Sequence, residues 1–202
     1  LMNLKLVVFD LGNVLFTFSV DRAFDYWAAK TGESAELLKS RFVQDEMYDL
    51  HEKGKITSTQ YCEHVTSMLE INISEKDFMD GWDSILLDPI NPSFEAVLKI
   101  KEKGYLTAVL SNTNYPHTVI LREKYGYLFE SFDAVFFSNE IGFRKPEIDS
   151  FMHVLNALGI NAWESLMIDD LKENIEGAAL AGMKILHLED YALLGKRLSS
   201  LL

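Results

Sequence analysis

The sequence predicts an α/β fold in which helices flank a parallel sheet and a block of helices is inserted after the first strand. Two observations predict it. Short β-rich apolar runs at 4–9, 106–110, 134–137, 166–168 and 184–188 alternate with segments whose apolar residues recur near the 3.6-residue period. Strands separated by helices need crossover connections, which make the sheet parallel and cover both its faces. The stretch from about 20 to 87 breaks the alternation: it holds no convincing strand and reads as a succession of helices.

Taken in order, the first run, Leu4-Lys5-Leu6-Val7-Val8-Phe9, ends in Asp10, and Gly12 and Asn13 then suit a tight turn. Helices are expected over 21–30, 34–50, 57–69 and 74–85, each opening with a cap residue or an acidic first turn. Pro89 and Pro92 punctuate the return to the sheet. Helical patterns follow at 94–103, 118–125, 148–158 and 171–181, with Ile175, Ala178, Ala179 and Gly182 sharing a face in or just beyond the last. Pro146 pushes Lys145 out of helical geometry and is expected to start the next helix itself. Residues 1–16 and 88–202 are thus expected to form a core and 17–87 a helical cap. Trp27, Trp82, Phe42 and Met47 are core candidates of the cap, some lining a substrate entrance.

Composition narrows the function. Of the 202 residues, 19 are basic and 31 acidic, giving a net charge of -12, which opposes non-specific association with nucleic acid or an anionic membrane. An anionic substrate therefore needs local positive charge. No run approaches the roughly 20 apolar residues of a membrane span, no signal segment opens the chain, and Leu1 before Met2 reads as an expression remnant. Cys62 is alone, so no disulfide forms within the chain, and a cytoplasmic setting is expected.

Polar residues fall where the apolar runs stop. The first run ends in Asp10 and the second in Ser111-Asn112-Thr113-Asn114; the third leads through Ser138 to Arg144-Lys145-Pro146, and the fourth ends in Asp169-Asp170. Ligands of open parallel sheets bind outside the carboxyl ends of the strands, so four segments converge on one crevice. The set suits phosphoryl transfer. Asp10 is the candidate nucleophile, but an anion approaching a phosphate is repelled unless cations neutralise both. Magnesium takes oxygen ligands, usually one or two carboxylates with water and substrate. Asp10 and Asp170 supply such carboxylates, and Lys145 supplies a second positive charge. Ser111 and nearby backbone N–H groups are candidates for binding the phosphoryl oxygens. Asn112 and Asn114 fit helix capping as well as substrate binding. The adjacent Asp169 and Asp170 repel one another unless a cation or donors sit between them.

Asp10-Leu11-Gly12-Asn13-Val14, Leu110-Ser111-Asn112-Thr113-Asn114, Gly142-Phe143-Arg144-Lys145-Pro146-Glu147 and the stretch from Ile168 to Ala178 resemble, in order, the four motifs of the haloacid dehalogenase (HAD) superfamily. The version is most similar to the bacterial alpha-D-glucose-1-phosphate phosphatase branch, whose cap segment resembles His51-Glu52-Lys53-Gly54-Lys55-Ile56. The resemblance covers nearly the whole chain. It implies a Rossmann-like core, a helical cap over the site, Mg2+, an aspartyl-phosphate intermediate and a small phosphorylated metabolite as substrate. By matching position, Asp10 is the nucleophile and a metal ligand, Lys145 the charge neutraliser and Ser111 the phosphate binder. Asp170 and the carbonyl of Gly12 complete the metal ligands, Asp169 holds a water on the metal, and Asn174 takes a place that often carries another carboxylate.

Gly12 departs from the commonest superfamily pattern, in which an aspartate there acts as general acid and base. Such a group typically contributes about 100-fold to 10,000-fold in rate. Its loss favours leaving groups that need little protonation, such as an anomeric sugar oxygen, unless a cap residue such as Glu52 or His51 substitutes. His117 is the other histidine near the motifs, while His64, His153 and His187 read as surface or packed residues. Arg22 and Arg41 fit either a grip on the substrate or exposed salt bridges. Three functions are compatible with these residues: a Mg2+-dependent phosphatase, a metal-independent dehalogenase-like hydrolase attacking carbon through Asp10, and a weakly catalytic phosphometabolite-binding protein. The Asp169-Asp170 pair favours the first.

Overall fold

The structure is a computed structural model that describes residues 3–201; Leu1, Met2 and Leu202 lie outside the described residues, and with them the expected remnant at Leu1. The chain opens with β1 (Leu6–Phe9) and β2 (Phe16–Phe18), followed by helices α1 (Asp21–Thr31), α2 (Ala35–Arg41), α3 (Glu46–Glu52), α4 (Ser58–Leu69) and α5 (Glu75–Asp83). It continues through β3 (Leu86–Pro89), α6 (Asn91–Glu102), β4 (Leu106–Ser111), α7 (Tyr115–Phe129), β5 (Ala134–Phe137), α8 (Ser138–Ile141) and α9 (Ile148–Leu158). β6 (Ser165–Asp169), α10 (Lys172–Leu180), β7 (Lys184–His187) and α11 (Leu194–Leu201) close it.

The main sheet has the order β5-β4-β1-β6-β7, with every pairing parallel. Alternate side chains leave opposite faces of a strand, and both faces of this sheet are covered. Val7, Phe9, Val109, Leu166 and Ile168 pack on one side with residues of α6, α7 and α11. Leu6, Val8, Ala108, Leu110 and Met167 pack on the other with residues of α9 and α10. The result is a three-layer α/β sandwich of Rossmann type. After β1 the chain builds β4 and β5 on one side, then crosses to build β6 and β7 on the other. That reversal puts the carboxyl end of β1 at the crevice where such sheets bind ligands.

Helices α1 to α5 pack around an apolar cluster of their own that includes Phe24, Trp27, Leu38, Tyr61, Val65, Phe78 and Trp82. Trp27 stacks on Phe78 with ring centroids 4.9 Å apart. The chain enters and leaves this bundle through the antiparallel pair β2 and β3, registered Phe16 to Pro89 and Phe18 to Leu86. This pair corrects the strand-free reading of the inserted stretch. Three or four residues carry too little periodicity to register as strands, and their partners lie 71 residues away at Thr17 and Asp88.

The expected helix over 34–50 is two helices. Asp45 accepts hydrogen bonds from the Met47 and Tyr48 N–H groups and starts α3, while Phe42 is extended and ends α2. The helix expected at Pro146 begins at Ile148, because the Arg144–Glu147 backbone first closes a turn. The short α8 and the C-terminal α11 were not anticipated. Among the described residues, no helix is long and apolar enough to cross a membrane.

Candidate active site

Asp10 follows β1 directly, and its backbone N–H donates to the Ile168 carbonyl of β6 at 2.8 Å. Its direction is therefore set by the sheet. The next residues turn tightly: Asn13 N–H donates to Phe16 O at 2.7 Å, with Asn13 in the left-handed region at φ 52°. The amide of Asn13 then reaches Asp170 Oδ2 at 3.0 Å. The turn thus ties the first motif to the fourth.

Lys145 is the centre of the site and is 1% exposed. Its Nζ lies 2.6 Å from Asp10 Oδ1 and 2.5 Å from Asp169 Oδ2. Asp169, wholly buried, also accepts from the Leu171 N–H at 2.9 Å and from the Asn174 amide at 3.1 Å. Asp10, Asp169 and Asp170 each bring a carboxylate oxygen within 4.8 Å of the others. Burial first, then the Asp169 carboxylate, pushes the Asp10 carboxyl up to about 7 against the pull of Lys145. Burial also raises Asp170. Lys145 is held above the ordinary lysine value because Asp10 and Asp169 outweigh its desolvation. Three carboxylates against one ammonium leave a negative excess, which a hard, oxygen-preferring cation such as Mg2+ fits.

A cavity of about 220 Å³ opens above this cluster. Asp10, Gly12, Ser111, Asn112, Lys145, Asp170 and Asn174 all line it, while Asp169 sits beneath. The structure therefore brings Asp10, Gly12, Ser111, Asn112, Lys145, Asp169, Asp170 and Asn174 to one place. Asn112 is otherwise engaged than its sequence position implied: its Oδ1 accepts from the Lys145 N–H and its Nδ2 donates to the Lys145 carbonyl, both at 2.8 Å. Asn114 caps α7 by accepting from the His117 N–H.

The opposite wall comes from the helical insert and the β2–β3 pair, with Gln44, Tyr48, Glu52, Trp82, Phe16 and Phe18 among its residues. Glu52 Oε2 accepts from Arg144 Nε at 2.8 Å, and burial raises its carboxyl despite that partner. His117 lies in this wall as a neutral ring held down to about 4 by burial, one nitrogen 3.0 Å from the Trp82 carbonyl and the other 3.1 Å from the Asn114 amide. His51 stacks on Tyr61 away from the cavity. Arg41 caps the end of α4, donating to Leu69 O at 2.7 Å and pairing with Glu70 in a salt bridge. His64 pairs with Asp45, and His187 bonds the Asp170 carbonyl. Sequence reasoning missed the roles of Arg144 and Tyr48. Arg144 stood beside Lys145 in the motif, but its partner lies 92 residues away.

The family model for haloacid dehalogenase-like hydrolases matches residues 4–182. The chain belongs to that family. Among curated HAD-like relatives, a glyceraldehyde 3-phosphate phosphatase of Methanothermobacter thermautotrophicus is 35% identical over 195 residues, covering 89% of this chain and 83% of that one. A sesquiterpene phosphatase of Aspergillus oryzae is 28% identical over 186 residues, covering 92% and 90%. A HAD family enzyme of Bacteroides thetaiotaomicron, solved with magnesium and inorganic phosphate, superposes with a TM-score of 0.78 at 26% identity, covering 91% of this chain and 93% of that one. Membership makes the protein a hydrolase, and the cluster around Lys145 is the candidate centre for its chemistry.

Proposed function

We propose that the protein is a Mg2+-dependent phosphatase of a small phosphorylated metabolite, acting through a phosphorylated Asp10. The observation that carries this reading is the Lys145 ammonium bridging Asp10 and Asp169 on the floor of the cavity, with Asp170 in the same cluster. The relatives named as phosphatases support the reaction class, and the neighbour solved with magnesium and phosphate supports the metal. In this reading residues 1–16 and 88–202 form the catalytic core and 17–87 the cap.

Asp10, Asp170 and the Gly12 carbonyl would hold Mg2+, whose charge would neutralise the nucleophile and the phosphate. Asp10 attacks phosphorus, the bond to the leaving oxygen breaks, and water later cleaves the aspartyl phosphate to release inorganic phosphate. Lys145 neutralises charge beside Asp10, Ser111 binds a phosphoryl oxygen, and Asp169 and Asn174 hold the surrounding groups in place. Of the neighbouring groups that could replace the acid Gly12 lacks, Glu52 is paired with Arg144, and both nitrogens of His117 are engaged. That supports a substrate with a good leaving group, such as a sugar phosphate of the glucose 1-phosphate kind. The mixed wall of Tyr48, Trp82, Gln44 and Glu52 suits a ring with apolar faces and polar edges. A metal-independent attack on carbon is disfavoured by the carboxylate excess. Hydrolysis of p-nitrophenyl phosphate with Mg2+ or EDTA, by wild type and Asp10→Asn, tests the proposal. Turnover that needs no metal or survives the substitution overturns it.

A further inference from the structure

The loop that carries Lys145 is gripped from two sides. From the sheet, the Asn112 amide clamps both backbone groups of Lys145. From the helical insert, Glu52 Oε2 accepts from Arg144 Nε at 2.8 Å, and Asp49 Oδ1 lies 2.8 Å from Arg144 Nη1. The same guanidinium lies 5.9 Å from the centre of the Tyr48 ring. Arg144 and Lys145 are consecutive, yet one side chain runs to α3 and the other to Asp10 and Asp169.

The end of α3 is itself fastened down. Ser138 Oγ sits 2.6 Å from the Glu52 carbonyl oxygen and accepts from the Thr113 N–H at 2.9 Å, joining α3 to α8 and to the loop after β4. Lys53 pairs with Glu147 one turn beyond Lys145. Gly54, at φ 65°, lies so close to α8 that an added Cβ would stand 2.3 Å from the Asn139 carbonyl oxygen. α3 is therefore docked on the lysine loop by backbone and side chain alike.

We infer that Glu52 is a positioning residue for Lys145 and acts through Arg144: docking of α3 sets the ammonium between Asp10 and Asp169. Its contribution is charge held in place, and no proton passes through it. The activity arm of the test rests on the phosphatase reading, and the exchange arm does not. Glu52→Gln keeps the shape and removes the charge. With p-nitrophenyl phosphate and saturating Mg2+, it should lower kcat at least about tenfold with KM changed less than about threefold, the mark of a misplaced group rather than a lost substrate contact. Combined with Asn112→Ala, the loss should exceed the larger single loss by less than about threefold, because both changes release one lysine. In Glu52→Gln the backbone amides of 142–145 and 147 should exchange hydrogen about tenfold faster while those of β1 stay protected. Multiplying kcat losses, a rise confined to KM, or unchanged exchange at 142–145 and 147 overturns the inference. An inactive wild type instead overturns the phosphatase reading, and exchange then decides the coupling alone.

Discussion

Gly12→Asp offers the sharpest test of why this site lacks a proton donor. A Cβ at Gly12 meets nothing within 4 Å, and the backbone there needs no glycine, so an aspartate enters without strain. It enters among Asp10 and Asp170. At an effective dielectric of about 20, a like charge about 6 Å away costs about 3 kcal/mol, or about two pKa units, which lifts the new carboxyl from about 4 to about 6, so that it is mostly protonated at about pH 5 and about a tenth protonated at about pH 7. A general acid is thereby created where a leaving oxygen departs. Positioned acids typically contribute about 100-fold to 10,000-fold, equivalent to about 3 to 5 kcal/mol of barrier. That gain applies only where the leaving group needs a proton. Turnover of an alkyl phosphate such as glycerol phosphate should rise by about 100-fold or more, and that of glucose 1-phosphate by less than about tenfold. The assay is inorganic phosphate release for both substrates, wild type against variant, at saturating Mg2+. If alkyl phosphate turnover does not rise relative to the sugar 1-phosphate, the leaving-group account is wrong.

Three further outcomes follow from the geometry. Native Asp10 keeps its proton to about pH 7, whereas the unfolded chain releases it near 3.8, so the stability this proton contributes is complete below pH 3.8 and is lost as pH rises through 7. In EDTA, the stability of Asp10→Asn relative to wild type should accordingly rise with pH, with a wider gap at pH 8 than at pH 5. His51 and His117, lowered to about 4 by burial, lose stability in acid in both proteins and cancel in the difference; a gap independent of pH refutes the assignment. At pH 8, Lys145→Ala should cost about 3 to 5 kcal/mol in urea unfolding without metal, since there it strands Asp10 and Asp169 as buried carboxylates. An unchanged midpoint would show the pair to be relaxed by water. Gly177→Ala, ordinarily worth about 1 kcal/mol of gain inside a helix, should instead cost about 1 to 3 kcal/mol. The new Cβ would lie 2.4 Å from the Pro146 carbonyl oxygen and 3.1 Å from Phe151, and thermal melting reads the sign.

Much of the site was legible because its placement follows from local patterns. An apolar run of period-two or fully buried character identifies a strand, and the residue after it must stand at the sheet's rim. Asp10, Ser111 and Asp169-Asp170 were therefore located by their own neighbours, and the three-layer fold by the alternation of periods. Helix punctuation was legible less well. The Asp45 side chain competes for the N–H groups that would have continued one helix over 34–50, and nothing in the apolar period marks that competition.

The sequence by itself determined the strand ends, the residue types assembled there and the absence of a side chain at Gly12. Only the tertiary structure decided how those residues act on one another. Asn112, a substrate-binding candidate, also clamps the Lys145 backbone, and Arg144 became the link to Glu52 and Asp49. The physical reason is distance along the chain. A side chain's local period reports which face it takes, whereas its hydrogen-bond partner is chosen when sheet and helices pack, and the Arg144–Glu52 contact spans 92 residues that no local pattern connects.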